Sequence, residues 1–339
     1  MNGIIIAGGL GTRLRPLTYR RPKHLLPVAN RPFLEYQVAM LKRHGIDRVV
    51  FATNYFAEMI EGHFGNGAGF GVSMRYAVER ELLGTAGAIR NAASLTDGGP
   101  VVVLNGDVLT DFDLSALIAF HRSADALATI AVRPARRPHA YGALTADSKG
   151  RVTSWHEPSE AEKRRVSEHR GPLEDASDFI NAGIYVLEPS FVRSIPTGRP
   201  VSIERETYPD MVERHEPVYA VELPGYWMDI GRPEQLLAAT RAVLSGEVHT
   251  DVPCVPIDPS ASVAEGADVD AFTAVGPKAS VGTGSCLRGC IMLAGASVGS
   301  QCSLVDLIAD EGVRIEDNVT SAPGVVLAEG SVIRPGSRL

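Results

Sequence analysis

The chain has 339 residues, of which 45% are hydrophobic and 22% are charged, a composition typical of soluble globular proteins. This length allows two domains and a sizeable core. The net charge of −7 argues against a protein that binds nucleic acid through bulk positive charge, but it leaves nucleotide binding open. No run of about 18 apolar residues occurs, so we expect no membrane partner.

The four cysteines all lie in the last quarter of the chain and form no C-x-x-C pair. We expect them to be reduced and structural rather than zinc ligands. The first apolar run begins almost at once, so we expect no signal peptide. A cytoplasmic location is therefore predicted.

The N-terminal stretch combines a buried strand, a glycine turn and a cationic segment. The apolar run Ile4–Ala7 predicts a strand that is buried on both faces, as in a parallel sheet. Three glycines then allow a tight turn whose N–H groups can approach an anion: Gly8, Gly9 and Gly11. Five cations follow: Arg13, Arg15, Arg20, Arg21 and Lys23. This order of features predicts a polyphosphate-binding loop.

Two standard phosphate loops do not fit these residues. The Walker A motif needs a Lys-Ser or Lys-Thr pair after the glycines, and none is present. The dinucleotide motif G-x-G-x-x-G would need a third glycine where Leu14 stands, which argues against a dehydrogenase. On the glycines alone, an ordinary strand-to-helix turn with a solvated basic face stays open.

Residues 1–245 alternate short apolar runs with helical patterns. This rhythm predicts a parallel sheet with helices on both faces. Ligands of such sheets bind at the carboxyl ends of the strands. The residues at those ends include Gly8, Asn54, Glu79 and Asp107.

The tail has a different texture, with aliphatic residues six positions apart and small residues between them. The series runs Ile257, Val263, Val269, Val275, Val281, Leu287 and Leu293, and after a slip of one position it continues at Val298 and Leu304. A six-residue aliphatic period is typical of a parallel β-helix. We therefore predict two domains, 1–250 and 251–339, with oligomerisation through the tail.

Three carboxylates stand out by their positions. Asp107 follows a predicted strand, and Asp229 lies more than a hundred residues later; Mg²⁺ is commonly held by one or two carboxylates plus substrate phosphates. Each aspartate alone is more often a turn or cap residue. Glu79 offers only acceptors, which match the adjacent N1–H and N2–H₂ donors of guanine and so favour GTP. Glu79 could equally face solvent or pair with Arg75 or Arg80.

The whole string from Gly8 to Val28 resembles the signature of the sugar-1-phosphate nucleotidyltransferases (NDP-sugar pyrophosphorylases). The segment Trp227–Gly231 looks especially like that of mannose-1-phosphate guanylyltransferases with a C-terminal hexapeptide β-helix. The resemblance implies a Rossmann-like domain with a mixed, mainly parallel sheet, followed by a short left-handed parallel β-helix. It also implies an Mg²⁺-dependent enzyme.

The resemblance assigns roles to residues at four kinds of position. Two cations are implied to be catalytic: Arg13 and Lys23. Two aspartates are implied to bind the metal: Asp107 and Asp229. The implied nucleotide-binding residues are Ala7, Gly8, Gly9, Gly11, Thr12, Glu79, Gly84, Thr85 and Asn105. The implied sugar-binding residues are Tyr141, Gly142, Glu157, Asn181 and Gly183.

Two departures from the family pattern are visible. The family usually reads Pro-Lys-Pro where this chain has His24 after its lysine, and no charge is lost there. The family commonly has a lysine after the sugar-binding glutamate, to grip the sugar phosphate, where this chain has Pro158. Another cation is expected to compensate, and the candidates are His156, Lys163 and Arg164.

The sequence thus predicts transfer of a nucleotidyl group from an NTP, with GTP favoured, to a sugar 1-phosphate. Mannose 1-phosphate is the leading acceptor, and a heptose or cyclitol phosphate stays open because of the absent lysine. The alternatives are a glucose-1-phosphate thymidylyl- or uridylyltransferase and a non-catalytic regulatory subunit that binds a nucleotide-sugar. An acyltransferase in the tail is disfavoured, because no histidine follows His249.

Overall fold

A computed structural model describes residues 1–168, 171, 174 and 177–339. The chain divides into two compact units. Unit 1 contains Met1–Gly8, Leu41–Val108 and Phe112–Gly225. Unit 2 contains Gly9–Met40, Leu109–Asp111 and Tyr226–Leu339, and so joins the segment after the first strand to the tail. The boundary predicted near residue 250 stays a prediction. No helix among the described residues has the length and apolarity to cross a lipid bilayer.

The described residues up to position 229 contain thirteen strands, which are numbered in chain order. They are β1 (Asn2–Ala7), β2 (Pro27–Val28), β3 (Arg31–Pro32), β4 (Arg48–Thr53), β5 (Ser73–Val78), β6 (Val101–Asn105), β7 (Val108–Thr110), β8 (Ala128–Arg136), β9 (Ala143–Ala146), β10 (Val152–His156), β11 (Ser177–Leu187), β12 (Val218–Glu222) and β13 (Trp227–Asp229).

The α-helices of the described residues are α1 (Phe33–Arg43), α2 (Ala57–Phe64), α3 (Gly84–Ala93), α4 (Leu114–Ser123), α5 (Glu160–Glu168), α6 (Pro189–Ser194), α7 (Tyr208–Glu213) and α8 (Pro233–Leu244). Shorter helical turns are the 3₁₀ segments Thr12–Leu14, Lys23–Leu25 and Ala68–Phe70 and the π-helical segment Ile203–Thr207.

Unit 1 is built on one mixed sheet with the order β10-β9-β11-β6-β1-β4-β5, in which β8 pairs with β11 and β12. The strands β6, β1, β4 and β5 are all parallel, and β11 runs antiparallel to β6. The predicted Rossmann-like architecture is confirmed. In register, Ile6 lies opposite both Ala52 and Asn105, so these strands end at one edge.

The apolar pattern explains why β1 lies in the middle of this sheet. Ile4 and Ile5 are both fully buried, as expected for a strand covered on two faces. Ile4 belongs to a core cluster with Ala86 and Ile89 of α3. The glycine turn that follows β1 is therefore attached to a rigid support.

The tail forms a parallel β-helix, as the six-residue period predicted; its handedness stays a prediction. Twelve short strands follow one another: β14 (Ser262–Val263), β15 (Asp268–Val269), β16 (Ala274–Val275), β17 (Ser280–Val281), β18 (Cys286–Arg288), β19 (Ile291–Met292), β20 (Ser297–Val298), β21 (Ser303–Val305), β22 (Ile308–Ala309), β23 (Arg314–Ile315), β24 (Val326–Leu327) and β25 (Val332–Ile333). They stack into three parallel sheets, one for each face.

One position of the predicted aliphatic series is wrong. Val275 pairs in register with Met292, and Met292 belongs to the inner core of the β-helix. Leu293 instead belongs to a second apolar cluster of unit 2. The physical reason is a shorter coil, because 17 residues separate Val275 from Met292, whereas 18 separate Val263 from Val281.

That second cluster, hereafter the loop–tail cluster, joins the segment after the glycine turn to one face of the β-helix. From the N-terminal segment it contains Leu14, Leu17 and Leu26, all of which are almost fully buried. From the tail it contains Ile291, Leu293 and Ile308, and α8 and Ile230 complete it. The segment after the glycine turn is thus packed on the tail within one hydrophobic core.

Candidate functional site

The predicted site residues fall in both units, and each group has its own local geometry. In unit 2, Lys23 lies along the glycine turn. A Cβ atom built at Gly9 would be 3.4 Å from Lys23 Cε, and one built at Gly11 would be 2.9 Å from Lys23 Cβ. Gly11 also has a φ of 61°, which L side chains rarely adopt. The hydroxyl of Thr18 donates to the Gly11 carbonyl at 2.8 Å and fixes the turn.

Arg13 lies in the 3₁₀ segment that starts at Thr12, and its guanidinium contacts the chain next to Asp229. A Cβ atom built at Gly231 would be 2.7 Å from Arg13 Nη2. The Gly231 N–H donates to Gln235 Oε1 at 2.9 Å, which ties this glycine to α8. Asp229 ends β13, and the next residue, Ile230, is buried in the loop–tail cluster. Arg13 and Asp229 therefore lie on neighbouring segments of unit 2.

The remaining cations of the N-terminal segment have other partners. Arg15 lies over the ring of Tyr19, with 5.2 Å from Cζ to the ring centroid. Arg20 pairs with Glu329 at 2.9 Å, and Arg21 forms ion pairs with Asp310 and Glu311. Lys23 therefore contacts the glycine turn, whereas Arg20 and Arg21 contact the tail.

In unit 1, several predicted residues lie together where the parallel strands end. Ala7 is the last residue of β1, and Gly8 packs on Asn54, with 3.5 Å from a built Cβ to Asn54 Cβ. The Asn54 amide donates to the Glu79 carbonyl at 2.8 Å. Asp107 is half-buried and follows Gly106, whose N–H donates to the Ile6 carbonyl at 2.9 Å.

Glu79 is buried at the end of β5. Its Oε2 accepts from the Leu83 N–H at 3.1 Å, so one oxygen already holds the loop that leads to α3. Burial raises the pKa of the Glu79 carboxyl, and the bond from Leu83 opposes this effect. A base-binding role for Glu79 would therefore fall mainly to its other oxygen, Oε1.

Gly84 and Thr85, at the start of α3, contact Val201 and the π-helical segment that follows it. Gly84 has a φ of 72°, and a Cβ there would collide with the Val201 carbonyl. The Thr85 hydroxyl donates to Glu204 Oε2 at 2.7 Å and accepts from the Ile203 N–H at 2.9 Å. These contacts hold Glu204 beside the predicted nucleotide-binding segment.

Asn105, Asn181 and Gly183 form one packed group on β6 and β11. A Cβ built at Gly183, whose φ is 73°, would be 2.8 Å from Asn105 Nδ2. The Asn181 amide donates to the Tyr185 hydroxyl at 2.8 Å, and its Oδ1 accepts from the Gly183 N–H at 2.9 Å. Only glycine leaves room at position 183 for this arrangement.

Gly142 and Glu157, two further predicted sugar-binding residues, are also in direct contact. A Cβ at Gly142 would collide with Glu157 Oε2, so the carboxylate lies directly against the bare glycine. The Gly142 carbonyl accepts from the Asn181 N–H at 3.0 Å, which joins this pair to the previous group. Tyr141 stacks on His139, with ring centroids 6.3 Å apart. The predicted sugar-binding residues of unit 1 are thus neighbours.

Two residues with contacts in this group were not assigned a definite role from the sequence. Burial raises the pKa of the Glu204 carboxyl, and the charge of Glu157 adds to that rise. Lys163 Nζ lies 3.2 Å from Glu157 Oε1. No motif points to Glu204, because its hydrogen bond to Thr85 spans 119 residues. The sequence could name Lys163 only as one of three candidates for the missing cation, because its contact with Glu157 depends on how α5 folds back.

Two side chains, Asp107 and Asp229, are the predicted ligands of a metal ion. No group of three or more His, Cys, Asp or Glu side chains with metal-binding geometry is found in the described part of the chain. Asp107 and Asp229 are both half-buried carboxylates at strand ends. Two carboxylate ligands suit Mg²⁺, which usually keeps waters and takes phosphate oxygens as its other ligands.

Comparison with known proteins gives the family. The model of the nucleotidyl transferase family matches residues 2–246. The chain belongs to this family. The resemblance found in the glycine motif is confirmed, and the protein is a nucleotidyltransferase.

Relatives of this nucleotidyltransferase include two mannose-1-phosphate guanylyl- or guanyltransferases. The protein of Mycobacterium tuberculosis is 33% identical, with 89% of this chain and 82% of that protein covered. The protein of Pichia angusta is 37% identical, with 78% and 74% covered. A crystal structure of HddC from Yersinia pseudotuberculosis complexed with GMP-PN has a TM-score of 0.58 at 26% identity, and covers 71% of this chain and 99% of that one.

Gly231→Ala tests the position of Arg13 in this nucleotidyltransferase. The added Cβ displaces the guanidinium, which the family resemblance predicts to be catalytic. We therefore expect kcat to fall by roughly ten- to a hundredfold, since misplacement of a reacting group by about 1 Å costs that much. Steady-state nucleotidyl transfer is the measurement. Gly69→Ala is the control, because no atom lies within 4 Å of a Cβ at that exposed glycine. Equal activities of the two variants would contradict the role of this contact.

Proposed function

We propose that this chain transfers a guanylyl group from GTP to mannose 1-phosphate or a closely related sugar or cyclitol 1-phosphate. An oxygen of the acceptor phosphate attacks the α-phosphorus, the bond from that phosphorus to the β-phosphate breaks, and pyrophosphate leaves. The acceptor phosphate is already ionised at neutral pH, so no covalent intermediate with the chain is required.

The observation that carries this proposal is the extent of similarity to the mannose-1-phosphate guanylyltransferases. The match to the protein of Mycobacterium tuberculosis runs over 310 residues. GMP-PN in the structure of HddC supports a guanine nucleotide as donor. Glu79, a buried carboxylate at a strand end of unit 1, offers acceptors for the N1–H and N2–H₂ edge of guanine.

The chain's own part in the reaction is to position phosphates and to balance their charge. We assign Lys23 and Arg13 to the phosphates of the donor, where positive charge stabilises the transition state. What supports Lys23 is its course along Gly9 and Gly11. Positioning of two substrates can supply several kcal/mol of the barrier reduction without any reactive side chain.

We further propose that Asp107 and Asp229 hold one Mg²⁺. When bound, the ion supplies charge neutralisation and orientation of the phosphate oxygens. The support is the donor chemistry of two half-buried carboxylates in an enzyme whose substrates carry phosphates. A cytoplasmic location and a homo-oligomer formed through the β-helix complete the proposal.

A substrate panel tests the function directly. The full chain is assayed for pyrophosphate release with GTP, ATP, CTP, UTP and dTTP against mannose, glucose, heptose and cyclitol 1-phosphates. We expect the highest kcat/KM with GTP and mannose 1-phosphate or a related acceptor. A chelator is expected to abolish turnover and added Mg²⁺ to restore it. A preference for dTTP or UTP, or no turnover with any pair, would contradict the proposal.

Glu79→Gln tests the choice of base. The amide oxygen can still accept from the Leu83 N–H, so the loop contact is kept, but a charged acceptor for guanine is lost. A hydrogen bond to a charged group contributes about 1.5–3 kcal/mol, so we expect kcat/KM for GTP to fall by about tenfold or more. The values for UTP and dTTP should stay level or rise.

Glu81→Gln is the matched control for this change. Glu81 is exposed two residues further on, and the same loss of charge there should leave the nucleotide preference unchanged. An unchanged preference in Glu79→Gln would assign Glu79 to the loop alone.

The cation that replaces the expected lysine after Glu157 is, we propose, Lys163. Its ammonium contacts Glu157 Oε1 at 3.2 Å, whereas His156 pairs with Glu162. Lys163 is carried by α5, and Glu160 on the same helix lies 3.7 Å from its ammonium. An acceptor phosphate near Glu157 needs a neighbouring cation, because the carboxylate of Glu157 repels it.

Lys163→Met is expected to raise KM for the sugar 1-phosphate by about tenfold or more, because a charge-assisted hydrogen bond of about 1.5–3 kcal/mol is lost. KM for the nucleotide should change little, and Lys163→Arg should recover part of the loss. Arg165→Met serves as the control, because Arg165 is an exposed cation on the same helix. Equal KM values in both methionine variants would remove Lys163 from the acceptor site.

A further inference from the structure

Arg21 is buried in an ion pair with the β-helix, two residues before the proposed catalytic lysine. Its Nη2 lies 3.0 Å from Asp310 Oδ1, and its Nη1 lies 2.8 Å from Glu311 Oε1. The side chain of Arg21 is 10% exposed and that of Asp310 is 3% exposed. The neighbouring pair of Arg20 with Glu329 is by contrast 78% and 37% exposed.

The energy of a buried ion pair does not by itself explain why the chain has one here. Removal of two charged groups from water costs several kcal/mol each, and apolar side chains of similar size would often be as stable. The loop–tail cluster already joins the N-terminal segment to the tail through apolar side chains, among them Leu17, Leu26 and Ile308. Two charge-assisted hydrogen bonds differ from apolar contacts because they fix the orientation of the Arg21 guanidinium group.

The backbone that connects Arg21 to Lys23 is short and conformationally restricted. Only Pro22 separates Arg21 from Lys23, and its ring holds φ at −68°. The Pro22 carbonyl accepts from the Leu25 N–H at 3.1 Å, which starts the 3₁₀ turn that carries Lys23. The stem of Lys23 then lies on Gly9 and Gly11. A displacement of Arg21 therefore shifts the ammonium group along the turn.

We propose that Asp310 of the β-helix is a positioning residue for Lys23, acting through Arg21 and Pro22. The tail then contributes to transition-state stabilisation as well as to folding. This inference rests on the proposed function, because it takes nucleotidyl transfer as the reaction in which Lys23 acts.

Asp310→Asn tests the inference, since it keeps the shape of the side chain and removes its charge. We expect kcat to fall about tenfold or more, while KM for the sugar 1-phosphate changes less than twofold. Glu329→Gln is the matched control: it removes the partner of the adjacent Arg20 on the same tail, and kcat should stay within twofold of the wild-type value. Melting temperatures of all variants are recorded.

A double-mutant cycle separates positioning from a general loss of structure. If Asp310 acts through Lys23, the Asp310→Asn change should cost less than twofold in the residual activity of Lys23→Met. A role in structure alone would lower the activities of wild type and Lys23→Met by the same factor, and that result would overturn the inference. So would an unchanged kcat in Asp310→Asn.

Arg21→Lys is the second variant, for use where Asp310→Asn does not fold. Lysine keeps the charge but lacks the planar fork, so it cannot reproduce both contacts. We expect a folded protein with reduced kcat and the same non-additivity with Lys23→Met; full activity would overturn the inference. Absence of turnover in the wild-type chain with every substrate pair would instead contradict the proposed function.

Discussion

The geometry of the glycine turn in unit 2 depends on the close approach of the Lys23 side chain, whose Cβ would be 2.9 Å from a β-carbon at Gly11. At Gly11 the φ of 61° and the course of Lys23 exclude other residues for two independent reasons, backbone strain and collision. The turn and the ammonium group are therefore one packed element. That element has no core of its own, and the loop–tail cluster supplies one by joining Leu14, Leu17 and Leu26 to the β-helix. The tail of this chain is consequently part of the support for its glycine turn.

Much of the fold could be predicted because it depends on local patterns. The apolar run of β1, the glycines after it and the aliphatic period of the tail each require only a few neighbouring residues. The meeting of Ala7, Asn54 and Glu79 at one sheet edge follows from parallel pairing alone. Glu204 could not be found in this way, because Thr85, which holds it, lies 119 residues earlier.

The cations of the N-terminal segment are a second feature whose contacts could not be predicted from the sequence pattern. The glycines and the five cations together predicted a polyphosphate-binding loop, but the cations contact different partners in the structure. Arg20 and Arg21 pair with carboxylates more than 280 residues further along the chain. A similar limit explains Leu293, where a coil shortened by one residue moves the inward position to Met292. Both outcomes depend on tertiary contacts that a sequence period does not contain.

The loop–tail cluster also bears on where this chain can be cut. A fragment that ended at residue 246, where the family match ends, would lose Ile291, Leu293 and Ile308. Leu17 and Ile230, now buried, would then be uncovered beside the glycine turn. Such a truncation would expose an apolar surface next to the glycine turn, and exposed apolar surfaces favour aggregation or binding of another molecule. The family match thus ends inside a compact unit that continues to Leu339.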